Sequence, residues 1–231
     1  MPDSGTRAEL QVPGSQFLDG LQNGDLRIIL SAARRLNFPA KSTLYVQDDP
    51  AKHLFLLIDG DARYFHTTPE GRKILGPRIL PGEVFGGAVF SLRRSPTYLC
   101  STEAVKDCSV VAWERSTIRM LGARYPRLLE NMLSIAFELI EWAYMAQIGL
   151  ACHSARLRLA QALVDLARDI GHKSAAGVEL EITNEELANT ANVTVFTASR
   201  LLSEWHRCGA LVKSRGKVQL RSPQRLFFRR S

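Results

Sequence analysis

The period of hydrophobic and polar positions changes twice along this chain, and the changes mark three segments. From about Leu36 to Val111, short apolar stretches alternate with turn residues. In HLFLLIDGDARYFHTT two such stretches flank Asp59-Gly60-Asp61, and an Asp-Gly pair between apolar runs predicts a hairpin. Pro69-Glu70-Gly71 and Pro81-Gly82 add further turns, and YLCSTEAVKDCSVVAW closes with β-branched strand residues. Short strands at this spacing predict a small antiparallel barrel or sandwich.

From Arg127 to about Leu150 the period becomes helical. Leu128, Met132, Ile135, Leu139, Trp142, Ala146 and Gly149 recur at alternating steps of four and three. That is the seam of a two-stranded contact. A single amphipathic helix lying on a globular core would leave a similar stripe. Length and regularity favour a dimer, which doubles and spaces whatever the remaining segment binds.

Residues 152–231 read as a compact helical unit with two short ribbons. Ser154 to Asp169 is a helix with Leu157, Ala160, Leu163, Val164 and Ala167 on its inner face, ended by Gly171. VELEIT is a short strand. Thr183 and Glu186 form a capping box at the start of the next helix. Ala191-Asn192-Val193 is a tight turn, and Thr194 caps a further helix that runs to about Cys208 and stops at Gly209. ALVKSRGKVQLRS is a hairpin with Arg215-Gly216 at its tip. Helix, short turn, helix and β-ribbon is the order of a winged helix-turn-helix.

Composition sharpens this picture. The 231 residues suffice for two small domains, and 45% apolar with 23% charged residues is ordinary for a globular chain. No run of 18 uninterrupted apolar residues predicts a membrane span, and MPDSGTRAEL lacks the halves of a signal peptide. A cytoplasmic protein with no membrane partner is the expectation. The formal charge is +7, and residues 152–231 carry 13 Lys+Arg against 7 Asp+Glu while the rest carries 17 against 16. The last third therefore invites a polyanion. Cys100, Cys108, Cys152 and Cys208 have no CxxC or short-range His spacing, so neither zinc nor a disulfide framework is expected. Packed thiols are the plain reading, a redox-sensing thiol the alternative. No Walker loop, GxSxG elbow or nucleophile–base constellation appears, and no enzyme is expected.

The second helix of the helix-turn-helix must enter a major groove roughly 12 Å wide by its N-terminal end. Thr194, Thr197 and Ser199 offer small hydroxyls there, beside Val195 and Phe196, and Arg200 offers a fork matching guanine O6 and N7. Leu201, Leu202 and Trp205 face the domain. Lys213, Arg215 and Lys217 on the wing can meet phosphates.

Laid out in this order, the chain resembles the bacterial Crp/Fnr family of transcription regulators over about Phe17 to Leu226. HLFLLIDGDARYF, PGEVFGG, ARYPRLLENM, HSARLRLAQALVDLA and TNEELANTANVTVFTASRLLSEWHRCGALV carry the resemblance. It implies an α+β chain in three parts. Residues 1–126 would form an antiparallel β-roll of cyclic-nucleotide-binding type with an N-terminal helical segment. Residues 127–151 would be a dimerisation helix, and 152–231 the winged helix-turn-helix. The implied partners are a second copy, double-stranded DNA with two-fold-related half-sites, and RNA polymerase. A small-ligand-binding module acting mainly through a protein partner is the alternative.

In family members that bind cyclic AMP, a glutamate holds the ribose and an Arg-Ser pair the phosphate. Here Gly87, after Gly86, stands where that glutamate would be, and Tyr98 and Leu99 occupy the Arg-Ser positions. Ala143 and Tyr144 replace the Thr-Ser pair that touches the base. A buried phosphate without its arginine would be uncompensated, which argues against cyclic AMP. Oxygen-sensing members carry an N-terminal cysteine cluster; no cysteine precedes Cys100, which argues against an iron–sulfur centre. His53 or His66 could ligate a haem iron, although a lone strand histidine is more often a surface group. The effector stays open between haem, a thiol switch, an apolar or nitrogen-oxide-type signal, and none. On the recognition helix Phe196 replaces the family's usual glutamate while Ser199 and Arg200 remain. Phe196 either favours a thymine methyl, so that the operator departs from the family's usual one, or tucks into the core and reads nothing.

Overall fold

A computed structural model describes residues 12–71, 73–174, 176–214 and 216–227. The chain divides into two compact units whose border falls between Leu139 and Ile140.

In the first unit, helix α1 (Asn23–Ser31) precedes strands β1 (Arg34–Phe38), β2 (Thr43–Tyr45), β3 (His53–Asp59), β4 (Ala62–Thr67), β5 (Lys73–Ile79), β6 (Val84–Phe85), β7 (Ser101–Ala104) and β8 (Cys108–Glu114). They build two antiparallel sheets in the orders β1-β8-β3-β6 and β2-β7-β4-β5. Leu54, Phe55, Leu56 and Leu57 of β3 are all buried, as expected of a strand covered on both faces. Helix α1 joins the same core, and the Trp113 indole N–H of β8 donates to its Ile29 carbonyl at 2.7 Å.

The Asp59-Gly60-Asp61 turn is not the hairpin that its sequence predicts. β3 and β4 lie in different sheets, and the chain crosses from one to the other there. Gly60 has φ +103°, and a Cβ on it would fall 2.2 Å from the Asp107 carbonyl. The Asp61 carbonyl accepts from the Val105 and Lys106 amides, and its carboxylate pairs with Arg78 at 2.6 Å. The crossing is thus fixed by the β7–β8 connection rather than by its own flanks. The hairpin comes one turn later, where β4 pairs β5 across Pro69-Glu70-Gly71 and the Gly71 amide donates to Thr68 at 2.8 Å.

Helices α2 (Arg115–Arg124) and α3 (Pro126–Cys152) follow. By length and apolar content α3 could cross a membrane. Its first half is instead built into the roll. Leu128 is fully buried, Met132 and Ile135 pack against the same core, and Asn131 donates to the Phe17 and Asp19 carbonyls at 3.0 and 2.9 Å. Leu128, Met132 and Ile135, expected in a dimer seam, therefore serve the roll. The single-helix alternative accounts for that half of the stripe.

The second unit holds α4 (Ala155–Asp169), β9 (His172–Ser174), β10 (Gly177–Glu181), α5 (Asn184–Thr190), α6 (Val195–Arg207), β11 (Leu211–Ser214), β12 (Lys217–Leu220) and α7 (Gln224–Phe227). The strands pair in the order β11-β12-β10-β9; β9 is wholly exposed and carries no apolar signal that sequence reading could detect. α4 buries Leu159, Ala160, Ala162, Leu163 and Leu166, a stripe rotated from the expected one and excluding Leu157. The Thr183–Glu186 capping box forms with both of its bonds. Leu187, Leu202, Trp205, Leu211 and Leu226 complete the core.

Candidate functional site

The C-terminal site rests on the turn between α5 and α6. Asn192 sits there at φ +48°, a left-handed conformation that asparagine tolerates better than most residues. Arg158 of α4 braces it. Its guanidinium donates to the carbonyls of Ala191 (3.2 Å), Asn192 (3.1 Å) and His153 (2.8 Å). Sequence reading missed this residue, whose only signal is an arginine amid the apolar positions of α4. Thr194 caps α6, accepting from the Thr197 amide at 3.1 Å, and the two hydroxyls lie 2.9 Å apart.

α6 has two faces. Ala198, Leu201, Leu202 and Trp205 are buried. On the other face Phe196, Arg200, Ser203 and Arg207 follow one another at steps of four, three and four, all exposed, with Val195 and Thr194 at the tip and Ser199 half-exposed. Phe196 is 79% exposed, which overturns the alternative that it packs into the core. Ser203 and Arg207 extend the stripe beyond the residues predicted. Glu204, the helix's one acid, is neutralised by Arg156 at 2.9 Å, and that guanidinium also lies over the Trp205 ring. The outward stripe therefore presents cations without a competing carboxylate, the electrostatics a polyanion needs.

On the wing, Lys213 is half-exposed, its backbone amide 3.4 Å from His206 Nδ1. Lys217 departs from expectation. Its ammonium forms exposed ion pairs with Glu179 at 2.7 Å and Glu181 at 3.4 Å of β10, carboxylates that compete with phosphate for it. The Glu179 hydrogen bond holds Lys217 above the ordinary lysine range, and Glu179 below the carboxylate range. Arg215 lies outside the described residues.

In the roll, three of the residues expected at a diverged effector pocket, Gly86, Gly87 and Tyr98, meet their own chain. Gly86 has φ +82°, and a Cβ there would meet the His53 carbonyl at 2.8 Å. A Cβ on Gly87 would lie 2.8 Å from the Met132 methyl, which occupies that place. Tyr98 is only 4% exposed. Its ring stacks on Tyr45 with centroids 3.9 Å apart, and Phe55 and Phe85 continue the cluster. The Tyr98 hydroxyl donates to the His53 carbonyl at 2.9 Å and accepts from the His53 amide at 3.0 Å. Leu99 turns outward at 83% exposure, and Ala143 and Tyr144 are exposed on α3. The His53 ring tilts against Phe55, and burial holds it below the usual histidine range; His66 is exposed on β4. Among the described residues no group of three His, Cys, Asp or Glu side chains is placed to hold a metal ion.

Two family models match this architecture: the cyclic nucleotide-binding domain over residues 35–125 and the Crp-like helix-turn-helix domain over residues 157–227. The nitrogen fixation regulation protein FixK of Azorhizobium caulinodans is 25% identical over 195 residues, 83% of this chain and 74% of that one. The CRP-like cAMP-activated global transcriptional regulator of Mycobacterium tuberculosis is 21% identical over 93% of this chain and 96% of its own. Among solved structures, FixK2 of Bradyrhizobium japonicum superposes with TM-score 0.71 at 24% identity, covering 84% of this chain and 95% of that one. The c-di-GMP responsive regulator CLP of Xanthomonas campestris reaches TM-score 0.78 at 19% identity, over 86% and 99%. With a roll and a helix-turn-helix matched in this order over most of its length, the chain belongs to the Crp/Fnr family of transcription regulators.

Proposed function

We propose that the chain acts as a homodimer on two-fold-related DNA half-sites, with α6 as its reading helix, and that its roll takes no cyclic AMP in the usual way. The observation that carries the reading is the outward stripe of α6, where Arg200 projects from a helix whose opposite face is fully packed. Arg200 matches guanine O6 and N7, a contact that discriminates by about 1–3 kcal/mol. Half-sites about one helical turn apart follow from two-fold symmetry.

The dimer contact is assigned to the part of α3 that its own roll leaves open. Leu133, Phe137, Ile140 and Tyr144 are exposed at steps of four, three and four, a seam register offset from the expected one. Leu139, Trp142 and Ala146, from the expected seam, flank it and are exposed as well.

Effector chemistry does not carry over from relatives, since one is cAMP-activated and another c-di-GMP responsive. The aromatic cluster around Tyr98 and the absence of an arginine there support a roll closed by its own side chains. RNA polymerase is the partner that a regulator of this family would address, in the cytoplasm.

Selection from a random duplex pool by the full chain tests the reading. The expected result is a palindromic consensus with one guanine per half-site that Arg200→Ala ceases to select while retaining salt-sensitive nonspecific binding. Enrichment of no duplex, or an unchanged consensus with the variant, would refute it.

A further inference from the structure

The tip of α6 presents an unusual chemistry for a groove-reading helix. Val195 is 48% exposed and Phe196 79%, and these two adjacent side chains lead the outward stripe. The polar groups beside them are already engaged. Thr194 Oγ1 accepts from the Thr197 amide, and the two threonine hydroxyls bond each other. No acid stands in the first turn of the helix. What the tip offers a base edge is therefore mainly apolar surface, with Ser199 half-exposed beside it and Arg200 one turn further along the same stripe.

A base pair has one apolar group in the major groove, the C5 methyl of thymine. Cytosine shows an amino donor there instead, and neither Val195 nor Phe196 can accept from it. Two exposed apolar side chains lose hydration by covering a methyl and gain nothing from a polar edge. We propose that Val195 and Phe196 read a C5 methyl in each half-site, so that thymine is selected and 5-methylcytosine is accepted in its place. The inference rests on α6 being the DNA-contacting helix and names the chemical group that its tip recognises. The recognised feature is the methyl rather than the base that bears it. Methylation of a cytosine at this step converts a rejected pair into an accepted one.

Deoxyuridine differs from thymidine by that methyl alone, which makes the test clean. Duplexes selected by the full chain are remade with each thymine replaced in turn by uracil, and Kd is measured by fluorescence anisotropy at fixed salt. The methyl's burial predicts a loss of roughly fourfold per half-site and about fifteenfold when both are changed. Cytosine at the sensitive position should bind several-fold more weakly than thymine, and 5-methylcytosine within about twofold of it. In Phe196→Ala, and to a lesser degree in Val195→Ala, the uracil effect should shrink. Both side chains are exposed, so the variants keep their melting temperature. Uracil bound as tightly as thymine at every position of a specific site would overturn the inference while leaving the DNA reading intact. A uracil effect that survives both variants, or 5-methylcytosine bound no better than cytosine, would overturn it as well. Failure to enrich any duplex would instead remove the reading on which it stands, and the inference with it.

Discussion

Tyr98 offers a direct measure of whether the roll is filled by its own chain. Tyr98→Phe removes only the hydroxyl, which donates to the His53 carbonyl and accepts from the His53 amide. Leaving those half-buried groups unpaired costs about 1–3 kcal/mol. Tyr98→Ala also removes a ring that is 4% exposed and stacked on Tyr45. Large-to-small changes of this kind cost about 3–5 kcal/mol, because the surroundings only partly collapse. Alanine should therefore destabilise the roll by about 3–5 kcal/mol more than phenylalanine does. Hydrogen exchange of peptides from β3 and β8, read by mass spectrometry against urea, reports this locally. Cyclic AMP supplies the complementary arm. At a hundredfold excess over Kd a ligand stabilises by about 2.7 kcal/mol, which raises the melting temperature by several degrees. No shift is expected for the unmodified chain. Equal losses in the two variants, or a cyclic AMP shift of that size, would refute the closed roll.

Other expectations concern association, the reading helix, acid and thiols. Phe137→Glu or Ile140→Glu should convert dimers to monomers in sedimentation with little change in melting, whereas Leu128→Glu should unfold the roll because it buries a charge. Arg158→Ala removes the brace under Ala191 and Asn192; a loss of about 2 kcal/mol in unfolding free energy and weakened operator binding should appear together. For Glu103, burial works against the charge, but hydrogen bonds from Lys73 and Arg63 prevail and hold its carboxyl below the usual range. A depressed folded value gives stability that is present above the unfolded pKa near ~4.3 and is lost as pH falls through the folded one. Glu103→Gln should accordingly flatten the acid limb of a stability–pH profile below about pH 4. Burial pushes the Cys100 thiol up to about 11 and Cys108 upward, while Cys152 is exposed. Iodoacetamide at neutral pH should therefore label Cys152 well before Cys100 or Cys108, as peptide mass spectrometry would show.

Local chemistry was legible wherever the structure is local. The Thr183–Glu186 box, the Thr194 cap and the Gly71 turn all form where side chains three or four residues apart decide the outcome. Misreadings arose where the deciding partner is distant in sequence. Asp-Gly at residues 59–60 gives the same signal whether the strands pair with each other or part, and the Asp107 backbone and Arg78 decide. The α3 stripe is apolar on two faces, and periodicity does not say which one its own roll covers. Lys217 looks like a free wing cation until β10 brings Glu179 and Glu181 beside it. Phe196 was ambiguous for a related reason. Its exposure follows once Ala198, Leu201, Leu202 and Trp205 have taken the inward face.

Where the family resemblance would place a phosphate-holding arginine, the roll carries Tyr98. A buried guanidinium needs an anion opposite it, so a roll built around one is incomplete until its ligand arrives. Tyr98 is neutral, hydrogen-bonded to its own chain and stacked on its neighbours. Met132 fills the space beside Gly87 in the same way. On the proposed reading the roll is complete without a ligand, and a small molecule gains no differential affinity by entering it. A ligand that does not distinguish two states shifts neither. On the same reading, the amount of dimer is then one variable open to control. Association through the exposed stripe of α3, as proposed, would be concentration-dependent, and two half-sites bound by one dimer would respond more steeply to the amount of chain than either alone. On the proposed reading, losing the anion site from the roll leaves the α3 contact as a point of control.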